Sequence, residues 1–112
     1  MRIRVREFGK TIVISPEGSI FGRGRDKILE TVGEIVRNGR YPILLNMTNV
    51  ERVNRSGIGQ LILYRARAQE AGTQLNIYGC SPDLMDLIEA MKLERTLNVF
   101  MTQEEAENAP VL

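Results

Sequence analysis

The sequence predicts an α/β domain with a mostly parallel sheet of four to five strands and with helices packed mainly on one face. Segments of strand and helix character alternate along the chain, and this order produces parallel strands joined by right-handed crossovers. Polar and apolar residues alternate in two of the strands, Arg2 to Arg6 and Gln74 to Tyr78. Because strands covered on both faces are apolar throughout, this alternation predicts that one face of the sheet is partly open to water.

The first part of the chain supplies two strands and a helix. Residues 2–6 and 11–15 have strand patterns, and residues 8–10 form the turn between them. A glycine-rich loop is expected over residues 16–24, followed by a helix that has Asp26 as its N-cap. Five apolar positions of this helix repeat at the spacing of one buried face. They are Ile28, Leu29, Val32, Ile35 and Val36.

The remaining elements continue the alternation. A short, strongly apolar strand at residues 42–47 is followed by a polar turn at 48–54 and by a helix at 60–70. The next helix has two start signals, a serine that suits the N-cap and a proline that suits the first helical position. The other predicted elements are a strand at 74–78, this helix from Ser81 and Pro82, a strand at 98–101 and a capping box at Thr102 to Glu105. No linker or repeat interrupts the chain, so we expect residues 1–112 to form one domain.

Composition and charge exclude several classes of function. The 112 residues are 43% hydrophobic and 26% charged, as in an ordinary globular protein. The net charge is +1 with both signs interspersed, whereas a nucleic-acid binder usually has a basic surplus. The chain contains no histidine, the commonest acid–base catalyst and metal ligand. We therefore expect a protein without a metal, a cofactor, a nucleic-acid partner or catalysis.

The same residues indicate where the protein works. The single cysteine, Cys80, cannot form an internal disulfide and fits a reducing compartment. Its position at a strand end favours a small buried residue over a reactive thiol. No apolar run approaches the roughly 20 residues that a membrane span needs, and the N-terminus does not resemble a signal peptide. The sequence therefore predicts a soluble cytoplasmic protein.

The segment after the third predicted strand carries a motif. The strand ILLNM and the turn TNVERV lead to Asn54-Arg55-Ser56-Gly57-Ile58-Gly59, and the helix QLILYRARAQEAG follows. This arrangement resembles the STAS family, the domain of bacterial anti-sigma factor antagonists, in which Asp-Ser-Ser-Gly-Leu-Gly opens the helix. The closing stretch, residues 93–106, also resembles the family's ending. Asn54 stands where the family usually has aspartate, and Arg55 where it usually has the first serine.

The resemblance implies a partner switch. The unmodified antagonist binds an anti-sigma factor that is also a serine kinase, phosphorylation breaks the complex, and a serine phosphatase restores it. The phosphate acceptor matches Ser56. The loop after the second strand lies on the same side of the family's domain. The implied partner surface consists of Ser19, Phe21, Arg23, Arg25, Asn54, Arg55, Ser56, Gly57, Ile58 and Gly59.

Local chemistry around Ser56 leaves other functions open. Serine is a good N-cap residue, so Ser56 is expected to cap the helix as well as to accept phosphate. Gly57 and Gly59 are expected to allow a close approach of backbone at the helix start. One alternative is a scaffold subunit that is never phosphorylated and assembles with itself or with other STAS proteins. Another is a module that binds an anion at the start of the helix.

Overall fold

The structure, a computed structural model, describes residues 2–20, 23–39 and 41–109, with backbone alone for residues 23–26. Within these residues the chain forms six strands and five helices. The strands are β1 (Arg2–Phe8), β2 (Thr11–Ile20), β3 (Ile43–Asn46), β4 (Val50–Val53), β5 (Leu75–Tyr78) and β6 (Val99–Phe100). The helices are α1 (Arg23–Arg37), α2 (Arg55–Glu70), α3 (Pro82–Ala90), α4 (Glu94–Leu97) and α5 (Gln103–Glu107).

The strands form a mixed, mostly parallel sheet in the order β1-β2-β3-β5-β6, and β4 pairs with β2 off this path. The β1–β2 hairpin is antiparallel, and its turn at Gly9 has a φ of +59°, a conformation that glycine adopts without strain. The other described pairings are parallel. The predicted α/β class and sheet type are therefore confirmed.

Most helices pack on one side of the sheet, which we call the front face. Side chains of α1 to α4 form the main core there with alternate residues of the strands, such as Ile14, Leu45 and Ile77. A second, smaller cluster lies on the back face, where Ala106 of α5 packs with Val13, Leu44 and Tyr78. The helices thus lie mainly on one face, as predicted, and the residues that the structure describes cover only part of the back face.

A buried asparagine holds α5 against the back face. Asn76 of β5 is 2% exposed, and its side-chain amide donates to the carbonyl oxygen of Ala106 at 3.1 Å. Its side-chain oxygen accepts from Asn98 at 3.0 Å. The alternation in β5 therefore comes from a buried, hydrogen-bonded polar residue, because a buried amide must find partners inside the protein.

Three local predictions were wrong. Residues 16–20 belong to β2, because residues 16 and 17 pair with β1 and residues 18–20 pair with β4. Residues 50–53 form β4, where a turn was expected. Asp26 lies inside α1, which begins at Arg23, so it is not the N-cap. For the two strand segments, pairing with distant residues formed or extended an element beyond its local pattern.

Candidate functional site

The candidate site lies where the ends of two parallel strands meet the start of α2. The pairing of β2 with β4 joins Ser19 to Arg52 and Ile20 to Val53. One residue separates the end of β4 from the first residue of α2. The end of β2 and the motif segment are therefore neighbours, although more than 30 residues lie between them in the sequence. This is the carboxyl-terminal edge of the sheet, where open α/β sheets usually bind their ligands.

Asn54 caps α2. Its backbone is extended, and its side-chain oxygen accepts a hydrogen bond from the backbone N–H of Gly57 at 2.8 Å. The expectation that Ser56 would be the N-cap was wrong, because this asparagine starts the helix two residues earlier. Asparagine is as good an N-cap residue as serine, so Asn54 itself was the signal in the sequence.

Ser56 is the second residue of α2 and is exposed at the surface. Arg55 beside it is also exposed, and the first turn of the helix contains no acidic residue. The positive end of the helix dipole and the guanidinium group both favour a negative charge at this point. The site is therefore accessible to a modifying enzyme, and its local field suits a phosphate.

The two glycines of the motif differ in their surroundings. A Cβ on Gly57 would lie 2.7 Å from Val53 Cγ1 and 2.8 Å from the carbonyl oxygen of Ile20. The close approach predicted for Gly57 is therefore present, and it packs the helix start against β2 and β4. A Cβ on Gly59 would have no neighbour within 4 Å, so the same expectation for Gly59 was wrong.

The anion-binding alternative is weakened by the same geometry. An anion at a helix start is held by backbone N–H groups that have no other partner. Here the N–H of Gly57 already donates to Asn54. The amide at the centre of the motif is therefore engaged by the chain itself.

The other predicted surface residues fall into three groups. Ser19 is half-buried and lies beside β4, next to the start of α2. Ile58 is fully buried in the main core, so its side chain cannot contact a partner and its place in the predicted surface is corrected. Phe21 lies outside the described residues. Arg23 and Arg25 belong to α1, but only their backbone is described, so the structure says nothing about their side chains.

The structure adds Arg52 to the site. Arg52 is exposed on β4 and pairs across to Ser19, on the same edge as Arg55 and Ser56. A cleft of about 480 Å³ lies next to this residue, between β4 with Asn54 and the start of α3. Only the two valines that flank Glu51 and Arg52 mark β4 in the sequence, and this pattern does not alternate, which is why sequence reasoning took the segment for a turn. We call Ser19, Arg52, Asn54, Arg55 and Ser56 the switch surface.

Other reactive groups are placed away from this surface or are held neutral. Burial raises the pKa of the Cys80 thiol from 9.0 to about 11, so little thiolate forms at neutral pH. The described residues contain no group of three or more histidine, cysteine, aspartate or glutamate side chains that could hold a metal ion. Among them, too, no helix combines the length and apolar character that crossing a membrane requires.

Solved structures of anti-sigma factor antagonists have the same fold. An antagonist from Mycobacterium paratuberculosis superposes with a TM-score of 0.78 at 18% identity, covering 95% of this chain and 90% of that chain. The antagonist SpoIIAA in its unphosphorylated form gives 0.75 at 16% identity, covering 96% and 94%. The Bacillus cell fate determinant SpoIIAA in its phosphorylated form gives 0.70 at 16% identity, covering 96% and 97%. At these identities the likeness establishes the fold alone.

Sequence comparison establishes the family. Comparison with curated protein sequences gave no significant match. The family model described as "STAS domain" matches residues 2–106, which is nearly the whole chain. The match includes β1 to β6, the switch surface and most of α5. This protein therefore belongs to the STAS domain family.

Proposed function

We propose that this chain is an anti-sigma factor antagonist that works in the cytoplasm as one member of a partner-switching circuit. As a single domain over residues 1–112, it binds an anti-sigma factor that is also a serine kinase. Phosphorylation of Ser56 breaks the complex, and a serine phosphatase restores it. The chain acts by binding a protein partner and not by catalysis.

The observation that carries the proposal is the position of Ser56. It is exposed in the first turn of α2, directly after the cap residue Asn54 and its neighbour Arg55. The helix start is fixed by the cap hydrogen bond at 2.8 Å and by the packing of Gly57 against β2 and β4. A serine on a rigid, exposed helix start can be recognised by a folded partner and modified by it.

The charges of the switch surface indicate the chemistry of the partner. Arg52 and Arg55 are exposed, and the first turn of α2 has no acidic residue. A complementary partner surface therefore carries acidic residues. A phosphate on Ser56 adds a charge of roughly −1.5 to −2, which cancels the charge of the two arginines and places an anionic group opposite the acidic residues of the partner. Like-charge repulsion in the contact can cost several kcal/mol, and about 1.4 kcal/mol corresponds to a tenfold loss of affinity.

The same phosphate is favourable within the free chain. A negative group in the first turn of a helix is stabilised by the dipole by about 0.3–1 kcal/mol at an exposed position. Phosphorylation should therefore weaken the complex without unfolding the domain. This separation of effects is what a reversible switch needs.

The first test is the intact mass of the chain purified from its native cells, before and after phosphatase treatment. Ser81→Ala is the matched control for Ser56→Ala, because Ser81 also lies at a helix start, but its hydroxyl accepts the N–H of Leu84 at 3.2 Å as the cap of α3. We expect one phosphate on the wild type and on the Ser81 variant, and none on the Ser56 variant. An unmodified chain under all growth and stress conditions would contradict the proposal and favour the scaffold role.

A further inference from the structure

A row of three arginines lies on the uncovered part of the back face. Arg2, Arg4 and Arg6 alternate along β1, all three are exposed, and β1 is an edge strand of the sheet. Arg6 lies opposite Val13 of β2, whose side chain is part of the back-face cluster. Residues directly opposite each other in an antiparallel pair share a face. We call these three residues the arginine row.

Little within the described chain balances the arginine row. Within the described residues, Arg4 of the row forms an ion pair with Glu17, with 3.5 Å between Arg4 Nε and Glu17 Oε1 and with both side chains partly exposed. Exposed pairs of this kind contribute little to stability. Charged residues also protect an edge strand from pairing with another strand. The row therefore keeps β1 from edge-to-edge aggregation and leaves most of its positive charge to solvent.

The other half of the back face is acidic. Helix α5 covers it, and three glutamates of α5 are exposed while Ala106 points into the sheet. Glu104 is two positions from Ala106, so it points away from the sheet. Glu107 lies on the flank near Tyr78. The pKa of the Tyr78 hydroxyl is raised, mainly by burial and further by Glu107, whereas Arg6 lowers it. Charges of the acidic helix and of the arginine row thus act on the same side chain.

The strand register places the arginine row and helix α5 at the same position along the strand direction, which we call the height. Arg6 is level with Val13, Leu44 and Asn76, and Asn76 donates to Ala106 near the end of α5. Arg4 is level with Ser15. The side-chain amide of Asn46 donates to the hydroxyl of Ser15, and Asn46 pairs with Tyr78 of β5. Tyr78 therefore lies at about the same position along the strand direction as Arg4. The hydroxyl of Tyr78 donates to Gln103 at the start of α5.

We propose that the back face binds a second copy of this chain, with the arginine row of each copy against α5 of the other. A two-fold axis parallel to the strands exchanges the left and right halves of the face and keeps their height. Each positive row then meets a negative helix, and the contact is self-complementary, as a two-fold interface requires. An axis across the strands would put arginine on arginine.

The layer spacing fits this arrangement. A helix packs roughly 10 Å above a sheet, as stacked layers do. Helix α5 of each copy therefore lies above β1 of the other copy, where the three arginines are exposed, beside that copy's own α5. The two sheets enclose one layer made of two helices. The surfaces that meet are mainly polar and charged, so the association is weak and depends on salt.

The proposal is tested by sedimentation of the full chain over a concentration series at low and high salt. We expect the wild type to form dimers at low salt and to dissociate at high salt. Two pairs of charge reversals should each weaken the dimer at least tenfold, since they put like charges together. One is Arg2→Glu with Arg6→Glu on the row, and the other is Glu104→Arg with Glu107→Arg on α5.

Mixing the two variants gives the decisive result, because each altered surface then meets its complement on the other chain. We expect a dimer to form in the mixture although neither variant dimerises alone. The matched control replaces the α5 variant by Asp86→Arg with Glu89→Arg on the exposed side of α3, which has the same net charge. Because this control keeps the native back face and forms dimers of its own, a fluorescent label on the row variant reports which chain associates. Equal association of the labelled row variant with the control and with the α5 variant would show nonspecific attraction and overturn the proposal. A wild type that stays monomeric at low salt would also overturn it.

These outcomes are independent of the proposed function. The back face is on the opposite side of the sheet from α2, which packs in the main core on the front face. Charge reversal on β1 or α5 should therefore leave the modification of Ser56 unchanged. Loss of phosphate with an intact dimer, or of the dimer with an intact phosphate, separates the two proposals.

Discussion

The substitution Gly57→Ala tests the packing that fixes the switch surface. A new Cβ would lie 2.8 Å from the carbonyl oxygen of Ile20 and 2.7 Å from Val53 Cγ1. Contacts this short force one neighbour to move, and the carbonyl belongs to the buried end of β2, which pairs with β4. Overpacking of this kind costs about 1–3 kcal/mol. Alanine offsets about 1 kcal/mol of this cost as the better helix former, so we expect a net loss of stability of up to about 2 kcal/mol.

Gly59→Ala is the matched control, two residues further along the same helix. Its new Cβ meets no atom within 4 Å, so only the helix propensity changes and stability should rise by up to about 1 kcal/mol. Urea unfolding followed by circular dichroism measures both variants, with equal slopes expected. The difference of about 2 kcal/mol corresponds to about 8 °C in Tm for a chain of this size. A Gly57 variant as stable as the Gly59 variant would refute the close packing of the helix start.

Two further predictions concern Asn54 and Cys80. Asn54→Ala should lower the free energy of unfolding by about 1 kcal/mol because it removes the cap of α2. Asn54→Asp keeps an acceptor and adds a favourable charge, so it should be at least as stable as the wild type. An aspartate variant less stable than the alanine variant in urea would contradict this capping role. Because the pKa of Cys80 is raised to about 11 by burial, iodoacetamide at pH 8 should label the native chain on the order of 100-fold more slowly than the unfolded chain. The unfolded thiol loses its proton first as pH rises, so this group's contribution to stability should be lost between about pH 9 and 11. Cys80→Ala should lack that part of the pH dependence, and equal labelling of native and unfolded chains would argue against a buried thiol.

Sequence patterns succeeded where the signal was local. Ser81 caps α3 with Pro82 in the first turn, and Thr102 caps α5, as predicted. The apolar stripe of α1 is buried at Ile28 and Val32. Each of these features depends on residues within one or two helical turns, so a short stretch of sequence contains the whole cause.

The switch surface was predictable only in part. The motif placed Ser56 at the start of a helix, but the choice between Asn54 and Ser56 as the cap was not decided by residue type, since both are good caps. Arg52 was missed because β4 is short and exists through its pairing with β2. Ile58 was assigned to the surface because its position in the motif does not reveal which side of α2 faces the core.

The sequence by itself determined the α/β alternation, the caps of α3 and α5 and the family motif, because these depend on neighbours along the chain. Tertiary structure alone decided that β4 joins β2, that residue 57 has no room for a side chain, and that α5 covers half of the back face. The physical reason is that strand pairing and close packing join residues far apart in the sequence. Their stabilisation depends on both partners, and a local pattern contains only one of them.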